Sequence, residues 1–528
     1  MLGLELVVVI GLTTLLTKVV AHKTGLAQPL LLVAFGVLIG LIPLFREIQL
    51  DPEVVLFLFL PVLLYWESLT TSLREIRHNF RGIILNATGL VFITAAAVAA
   101  LAHTMGLPWG PAWVLGAAVA PTDATAVTSL TRELPRRNVT ILKAESLVND
   151  GTALVLWSLA VGFTVGDTQV TFGAVALTFV LAYGGGALVG ALVAWLAILA
   201  RKRLGDGLTQ NIAVLITPFL AYLLAETIHA SGVLAVVVAG LIISQAGPRT
   251  GVAEGRRQTD AFWTLATFLL NASLFMLVGI ELPRATAALA GSDLGMGLLA
   301  IAAVSALIIA VRFAYLFGTA YFLRLVDRRP KQRTRRLTNR ARVVSGFSGF
   351  RGAVSLAAAL AVPATIGGGH PFPGRDFIVF VTTGVIVVTL VVQGLALPGL
   401  VRWAKFSGDE SVVEERSLAE TAAARAALDE LPALARKLRV DREVSDRIRR
   451  EYEEHLELLE LEDETEDAEQ AAERIRQDTE LRLALLARKR EEMLRLRDQG
   501  RIDDIVLREL QRRLDIEEVR LTEQEPGE

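Results

Sequence analysis

Long apolar segments alternate with short polar connections along the first 406 residues of this chain. The segments are continuous and lack the alternation of apolar and polar positions typical of membrane-barrel strands. Because a bilayer core of about 30 Å requires roughly 20 apolar residues per helix, the pattern predicts about 13 transmembrane helices. The predicted centres lie near residues 12, 36, 61, 92, 121, 153, 185, 219, 238, 270, 308, 353 and 389.

The composition supports an all-α polytopic membrane protein. Of 528 residues, 53% are hydrophobic and 20% are charged, and the mean hydropathy is +0.49. A soluble protein carries about 25% charged residues, so a soluble enzyme and a nucleic-acid binder are excluded. Cysteine is absent, which excludes a disulfide framework and a thiolate metal site. The first apolar segment follows no basic leader, so we expect it to be retained as a helix.

The character of the chain changes after Lys405. From Asp409 onward there are 36 acidic and 22 basic residues, a net charge of −14, whereas the first 408 residues carry 19 acidic and 31 basic residues, a net charge of +12. We therefore expect a transmembrane domain of residues 1–406 and a charged, helical, regulatory cytosolic domain of residues 407–528. Apolar residues of this tail recur at helical spacing, as at Leu481, Leu485, Ile505, Leu507, Leu510 and Leu514.

Basic residues of the first 408 positions favour one side of the membrane. Of the 31, 26 lie on the side of the odd-numbered connections, 3 on the other side and 2 inside helices. The positive-inside rule then predicts a cell-membrane protein with its N-terminus outside and its C-terminus in the cytoplasm. The main basic groups are Arg74/Arg77/Arg81, Arg132/Arg136/Arg137, Arg201/Lys202/Arg203, Arg249/Arg256/Arg257 and the stretch Asp327–Arg342, against Arg46, Arg284 and Arg375 on the other side.

Several ionisable residues interrupt the predicted spans, where each costs at least a few kcal/mol. Buried ion pairs would explain some of them. However, four acids against two bases leave surplus carboxylates, which mark a path for ions or protons. The six residues are Glu67, Asp123, Glu145, Asp150, Arg312 and Arg351.

Two predicted helices also contain residues that break helices. Pro121-Thr122-Asp123 interrupts the fifth, and glycines 346, 349 and 352 surround Arg351 in the twelfth. If helices one to six and eight to thirteen are inverted repeats, both breaks occupy the fifth position of a repeat. Paired broken helices of this kind mark the midplane site of transporters, and Asp123 and Arg351 would offset the dipoles of the half-helices.

The sixth predicted helix contains a compact polar motif, Glu145-Ser146-Leu147-Val148-Asn149-Asp150. Ser146 and Asp150 are four residues apart and so share a helix face. Their hard oxygen ligands suit a small monovalent cation rather than a soft metal.

Six stretches carry a family resemblance and follow one another in the family's order between about residues 60 and 402. They are PTDATAV, ESLVNDGTALVL, AYLLAETIHASGVLAVVVAGL, FLLNASLFMLVGIEL, GFRGAVSLAAAL and VVQGLALP. On these stretches the chain resembles the monovalent cation/proton antiporter superfamily, in particular the electroneutral branch of bacterial NhaP-type and eukaryotic sodium/proton exchangers. The resemblance implies a homodimer in which a mobile core moves against a dimerisation domain.

The resemblance also implies roles for individual residues. Asp150 would bind either the cation or the proton. Asn149 stands where electrogenic relatives have a second aspartate, which implies electroneutral exchange. Glu145 would pair with Arg312, and Arg351 would stabilise the broken twelfth helix. The residues that would complete or line the cation site are Thr122, Asp123, Ser146 and Glu67.

We therefore expect secondary active exchange of Na+, and also Li+, for H+, with roles in pH and sodium homeostasis. The chain contains no P-loop, and the expected reaction requires no cofactor. The expected partners are membrane lipid, a second copy of the chain and the transported ions, without nucleic acid. K+/H+ exchange is the alternative within the class. An ion channel and a membrane sensor are more distant, because neither a repeated filter nor an output motif is visible.

Overall fold

The chain folds into two compact units, Met1–Ser407 and Gly408–Glu528. A computed structural model describes residues 2–43, 54–130, 134–166, 172–204, 206–250, 253–289, 294–326, 338–366, 370–406, 410–460 and 466–522. Arg46, Arg132 and positions 327–337 of the basic stretch lie outside these described residues.

The first unit is built from α-helices with π-helical segments at Val55–Phe59 and Leu85–Gly89, and its described residues contain no strand beyond an isolated bridge between Thr365 and Pro371. In chain order the helices are α1 (Leu2–Thr24), α2 (Gln28–Gly40), α3 (Leu60–Thr70), α4 (Leu73–Ile84), α5 (Leu90–Thr104), α6 (Trp109–Val119), α7 (Ala124–Leu130), α8 (Arg136–Val165), α9 (Phe172–Arg203), α10 (Gly207–Thr227), α11 (Gly232–Thr250), α12 (Ala253–Ala288), α13 (Leu294–Val326), α14 (Asn339–Phe347), α15 (Ala353–Leu360) and α16 (Arg375–Ala404).

The helical membrane architecture predicted from the sequence is confirmed. Within the described residues, eight helices are long and apolar enough to cross a membrane, or nine if the bent pair of α3 and α4 counts as one span. Shorter apolar helices, α2 and α11 among them, add to these. Each of the thirteen predicted centres lies in a helix or, for residue 121, in the break between two half-helices.

Both predicted breaks are present. The first separates α6 from α7 at the Pro121-Thr122-Asp123 segment, since proline cannot donate to the helical ladder. The second separates α14 from α15. The backbone N–H of Asp123 donates to the carbonyl of Phe350 over 2.8 Å, so the two breaks are hydrogen-bonded to each other. Two interrupted helices therefore meet at one place in the bundle.

The connection after the third predicted helix is itself helical. α4 meets α3 at an angle of 88° and contains Arg74 and Arg77, two of the basic residues predicted to lie in a connection between spans. A basic face opposite an apolar one is typical of a helix that lies along a membrane surface. The short polar segment Thr71-Ser72 makes the sharp turn.

Small residues allow α2 and α12 to cross at very short distance. A side chain at Gly36 would overlap the backbone of Met276, and one at Gly279 would overlap the backbone of Val33. Close backbone approach through glycine is the usual packing mode of membrane helices, where dispersion rather than the hydrophobic effect holds helices together.

The second unit is helical throughout its described residues, in agreement with the predicted tail. Its helices are α17 (Glu410–Leu438), α18 (Arg442–Glu460), α19 (Glu466–Asp498) and α20 (Asp504–Thr522). Leu507 and Leu514 are buried as their spacing indicates, but Leu481, Leu485 and Ile505 are 62%, 54% and 70% exposed. The buried cluster instead comprises Leu486, Leu514 and Leu521, because α19 turns a different face toward α20.

Candidate functional site

A cavity of about 40 Å³ lies where the two breaks meet, which is room for more than one water-sized molecule. Residues of α3, α8, α12 and both breaks enclose it. Its polar lining consists of Glu67, Thr122, Asp123, Thr125, Ser146, Asp150, Asn271 and Ser355. The structure thus brings five of the sequence-predicted site residues around one space.

Three carboxylates, those of Glu67, Asp123 and Asp150, reach this cavity. Asp150 is 6% exposed, and no arginine or lysine lines the cavity within the described part of the chain. Neither Asp150, Asp123 nor Glu67 forms a salt bridge with another described residue. Carboxylate oxygens are preferred ligands of hard cations, so the cavity is chemically suited to bind one.

Hydrogen bonds hold the first break in place. The hydroxyl of Ser146 donates to the carbonyl of Thr122 over 2.9 Å, joining α8 to the segment between α6 and α7. Asn149 Nδ2 donates to Thr122 Oγ1 over 2.7 Å. Asn149 does not line the cavity, and the structure places it behind Thr122, where it orients the threonine side chain.

Asp123 lies at the start of α7 and of α15, which are the second halves of the two interrupted helices. Its Oδ1 accepts the backbone N–H of Thr125 over 2.8 Å, which caps α7. A side chain at Gly352 would overlap the Asp123 carboxylate, so this carboxylate lies against the backbone that begins α15. A negative charge there stabilises the positive ends of the two half-helices.

Glu145 and Arg312 lie on α8 and α13 and do not line the cavity. Arg312 Nη1 donates to Glu145 Oε1 over 2.9 Å. Arg312 Nε also donates to the carbonyl of Ser345 in α14 over 3.0 Å. The pair therefore links α8, α13 and the first half of the second broken helix.

Arg351 lies in the second break and connects it to the first broken helix. Its Nε donates to the carbonyl of Val119 at the end of α6 over 2.9 Å, and its Nη1 donates to the carbonyl of Gly349. The guanidinium of Arg351 thus donates to carbonyls that the interrupted helices leave without intrahelical partners.

Three of the polar lining residues, Thr125, Asn271 and Ser355, were not predicted from the sequence. A signal existed for Asn271, which interrupts the apolar segment Leu269–Ile280 of α12. A lone asparagine or serine is tolerated on any face of an apolar helix, so its presence does not show that this face borders a cavity. A charged residue does indicate a cavity or a partner, because its burial among apolar groups has a high cost.

Comparison with known proteins identifies a family for this architecture. The family profile described as "Sodium/hydrogen exchanger, transmembrane" matches residues 11–403. A protein of Mycobacterium tuberculosis described as an uncharacterized Na+/H+ exchanger is 44% identical over 522 residues, which is 98% of this chain and 96% of that protein.

More distant relatives extend the comparison. A Bacillus subtilis protein described as a sodium, potassium, lithium and rubidium/H+ antiporter is 29% identical over 70% of this chain and 57% of its own length. The solved structure of the sodium proton antiporter MjNhaP1 from Methanocaldococcus jannaschii shares the fold, with a TM-score of 0.58 and 18% identity over 76% of this chain and 99% of that one.

Proposed function

Since the chain belongs to the sodium/hydrogen exchanger family, a family of membrane transporters rather than enzymes, we propose that it exchanges Na+ for H+ by alternating access, with both ions competing for Asp150. The observation that carries this proposal is the cavity itself. It combines three carboxylates with no basic side chain among its described lining residues.

Competition at one carboxylate explains how the two fluxes are coupled. A carboxylate buried without a countercharge is strongly disfavoured, so it must hold either a cation or a proton. Asp150 would release one only as it accepts the other. Glu67, Asp123, Thr122 and Ser146 would supply further oxygen ligands.

We propose electroneutral exchange of one cation for one proton. The supporting observation is Asn149, whose amide cannot carry a second proton and whose side chain is engaged by Thr122. A second carboxylate at position 149 would add an exchangeable charge next to Asp150 and would permit unequal stoichiometry.

The transported cation is Na+ in this proposal, with Li+ as a second substrate. K+/H+ exchange is the second candidate. It is favoured by the similarity to the Bacillus subtilis protein whose description includes potassium as well as sodium and lithium. The oxygen ligands of the cavity are compatible with all three ions.

The protein would lie in the cell membrane with its N-terminus outside and its C-terminus in the cytoplasm, contribute to pH and sodium homeostasis, and form a homodimer. The mass of the purified protein in detergent, measured by light scattering, tests the dimer, and a monomeric mass would contradict it.

The transport proposal is tested in proteoliposomes that carry a pH gradient and an internal pH dye. Na+, Li+ and K+ are added in turn, with and without a clamped membrane potential. We expect a pH change that requires Na+ or Li+ and ignores the potential. A response that follows the potential would contradict electroneutrality. Proton flux without an added cation would indicate a channel, and the antiport proposal would then be wrong.

A further inference from the structure

Of the three polar lining residues that were not predicted from the sequence, two lie outside the first broken helix, namely Asn271 of α12 and Ser355 of α15. They come from different elements than Asp123, Ser146 and Asp150. Together with Glu67 of α3 they contribute the polar lining that lies outside the first broken helix and α8.

The hydroxyl of Ser355 has no hydrogen-bond partner among the described residues, although its side chain is only 1% exposed. A buried helical serine can satisfy its hydroxyl by donating to the carbonyl four residues earlier, as Ser68 does to Leu64 and Ser273 to Leu269. Ser355 cannot do so, because the residue four positions earlier, Arg351, lies in the non-helical break before α15.

This unpaired hydroxyl requires an explanation, since a buried polar group without a partner costs about 1–3 kcal/mol. Glu67 Oε1 is likewise buried and unpaired with any described group, and it lines the same cavity. Asn271 adds an amide to the same wall. Three oxygen-bearing side chains therefore face one space without satisfying one another, as expected for ligands of an ion that occupies it.

We propose that Asn271 and Ser355 are cation ligands that determine which alkali-metal ion the cavity accepts. This inference rests on the proposed transport function and adds residues to it. Neither side chain titrates in the physiological range. They would therefore affect the affinity for the cation without changing the number of protons exchanged, which Asp150 determines.

The number of fixed ligands matters most for small ions. Selectivity among hard cations depends on cavity size, ligand number and ligand flexibility. Li+ and Na+ attract each oxygen more strongly than K+ does, so the loss of a fixed oxygen weakens their binding more. Removal of either side chain should shift preference toward K+.

The experiment measures KM for Na+, Li+ and K+ in proteoliposomes with the full chain and the variants Ser355→Ala and Asn271→Leu. We expect KM for Na+ and Li+ to rise about three- to tenfold, where tenfold corresponds to about 1.4 kcal/mol. KM for K+ should change less and kcat should be retained. Ser355→Thr keeps the hydroxyl and should preserve the wild-type ion preference.

Ser273→Ala is the matched control, since Ser273 lies on α12 two residues from Asn271, is buried, and does not line the cavity. Unchanged KM values for all three ions, or an equal rise in Ser273→Ala, would overturn the inference. If a variant folds but no longer transports, its binding of Na+ is measured instead as the increase in Tm when Na+ is added in detergent. A lost increase supports the inference, and a retained one contradicts it. Absence of cation-dependent exchange in the wild type would instead contradict the proposed function.

Discussion

Arg312 and Glu145 form an ion pair 2.9 Å long, with side chains that are 2% and 5% exposed. The pair lies outside the cavity between the two breaks, and Arg312 also donates to the carbonyl of Ser345. Both charges have been removed from water, so each depends on the other for compensation. The Glu145–Arg312 pair thus links α8, α13 and α14.

Glu145→Gln should destabilise the protein by about 3–5 kcal/mol, because it leaves the buried guanidinium without its countercharge. The measurement is Tm in detergent. Asp376→Asn is the control, since that carboxylate is 59% exposed and its partner Arg375 lies 3.9 Å away. Equal Tm values for Glu145→Gln and the wild type would argue against this role.

Asp150→Asn should abolish exchange while the protein remains folded. The substitution removes the charge that a cation or proton must neutralise, with little change in shape. Transport is measured in proteoliposomes, and Tm and elution volume report folding. Asp376→Asn serves again as a control for loss of one carboxylate. Substantial exchange by Asp150→Asn would contradict competition at this residue.

Gly352→Ala should impair transport strongly, since the added methyl group would overlap the carboxylate of Asp123 and displace it from the start of α15. Gly399→Ala is the matched control, because nothing lies within 4 Å of a side chain added there. That variant should behave like the wild type, since alanine favours a helix over glycine. Normal exchange by Gly352→Ala would show that the position of Asp123 is not critical.

Charge burial and helix breakers explain how far the sequence could predict this site. Asp123 and Asp150 were identifiable because a carboxylate inside an apolar span has a high cost, and Pro121 located the first break. Asn271 and Ser355 were missed because neutral polar residues are tolerated on many helix faces. Their relevance depends on which face meets the cavity, and that is set by packing between distant segments.

The C-terminal unit, Gly408–Glu528, shows the same limit. Its helical content was predictable from spacing, but the exposed Leu481 and Leu485 and the buried Leu486 are neighbours in sequence with the same hydrophobicity. In a strongly charged helix with apolar residues on more than one side, local pattern does not decide which side packs. The partner helix α20 decides it through Leu514 and Leu521.

Asp206 provides a pH-dependent test of a helix cap. Its carboxylate accepts the backbone N–H of Thr209 over 2.8 Å at the start of α10, and this hydrogen bond lowers the pKa of Asp206. A lowered folded-state pKa contributes stability that is present above the unfolded value of about 3.9 and is lost as the pH falls through the folded value.

Asp206→Ala should therefore lower Tm at pH 7, and its Tm should converge with that of the wild type as the pH falls below about 4. Asp206→Asn keeps a side-chain acceptor for the cap but not the charge, so its Tm at pH 7 should lie between those of the alanine variant and the wild type. A constant difference between alanine variant and wild type across this pH range would mean that the charge of Asp206 contributes nothing.

Removal of the tail after Ser407 should leave basal exchange intact, because the cavity and both breaks belong entirely to the unit Met1–Ser407. The tail carries a net charge of −14 and forms its own buried cluster. It should therefore act on the response of transport to pH or cation concentration. The measurement compares exchange rates of full and truncated chains over a range of pH and Na+. If the truncated chain inserts normally but does not transport, the tail is required for the transport cycle and a purely regulatory role is wrong.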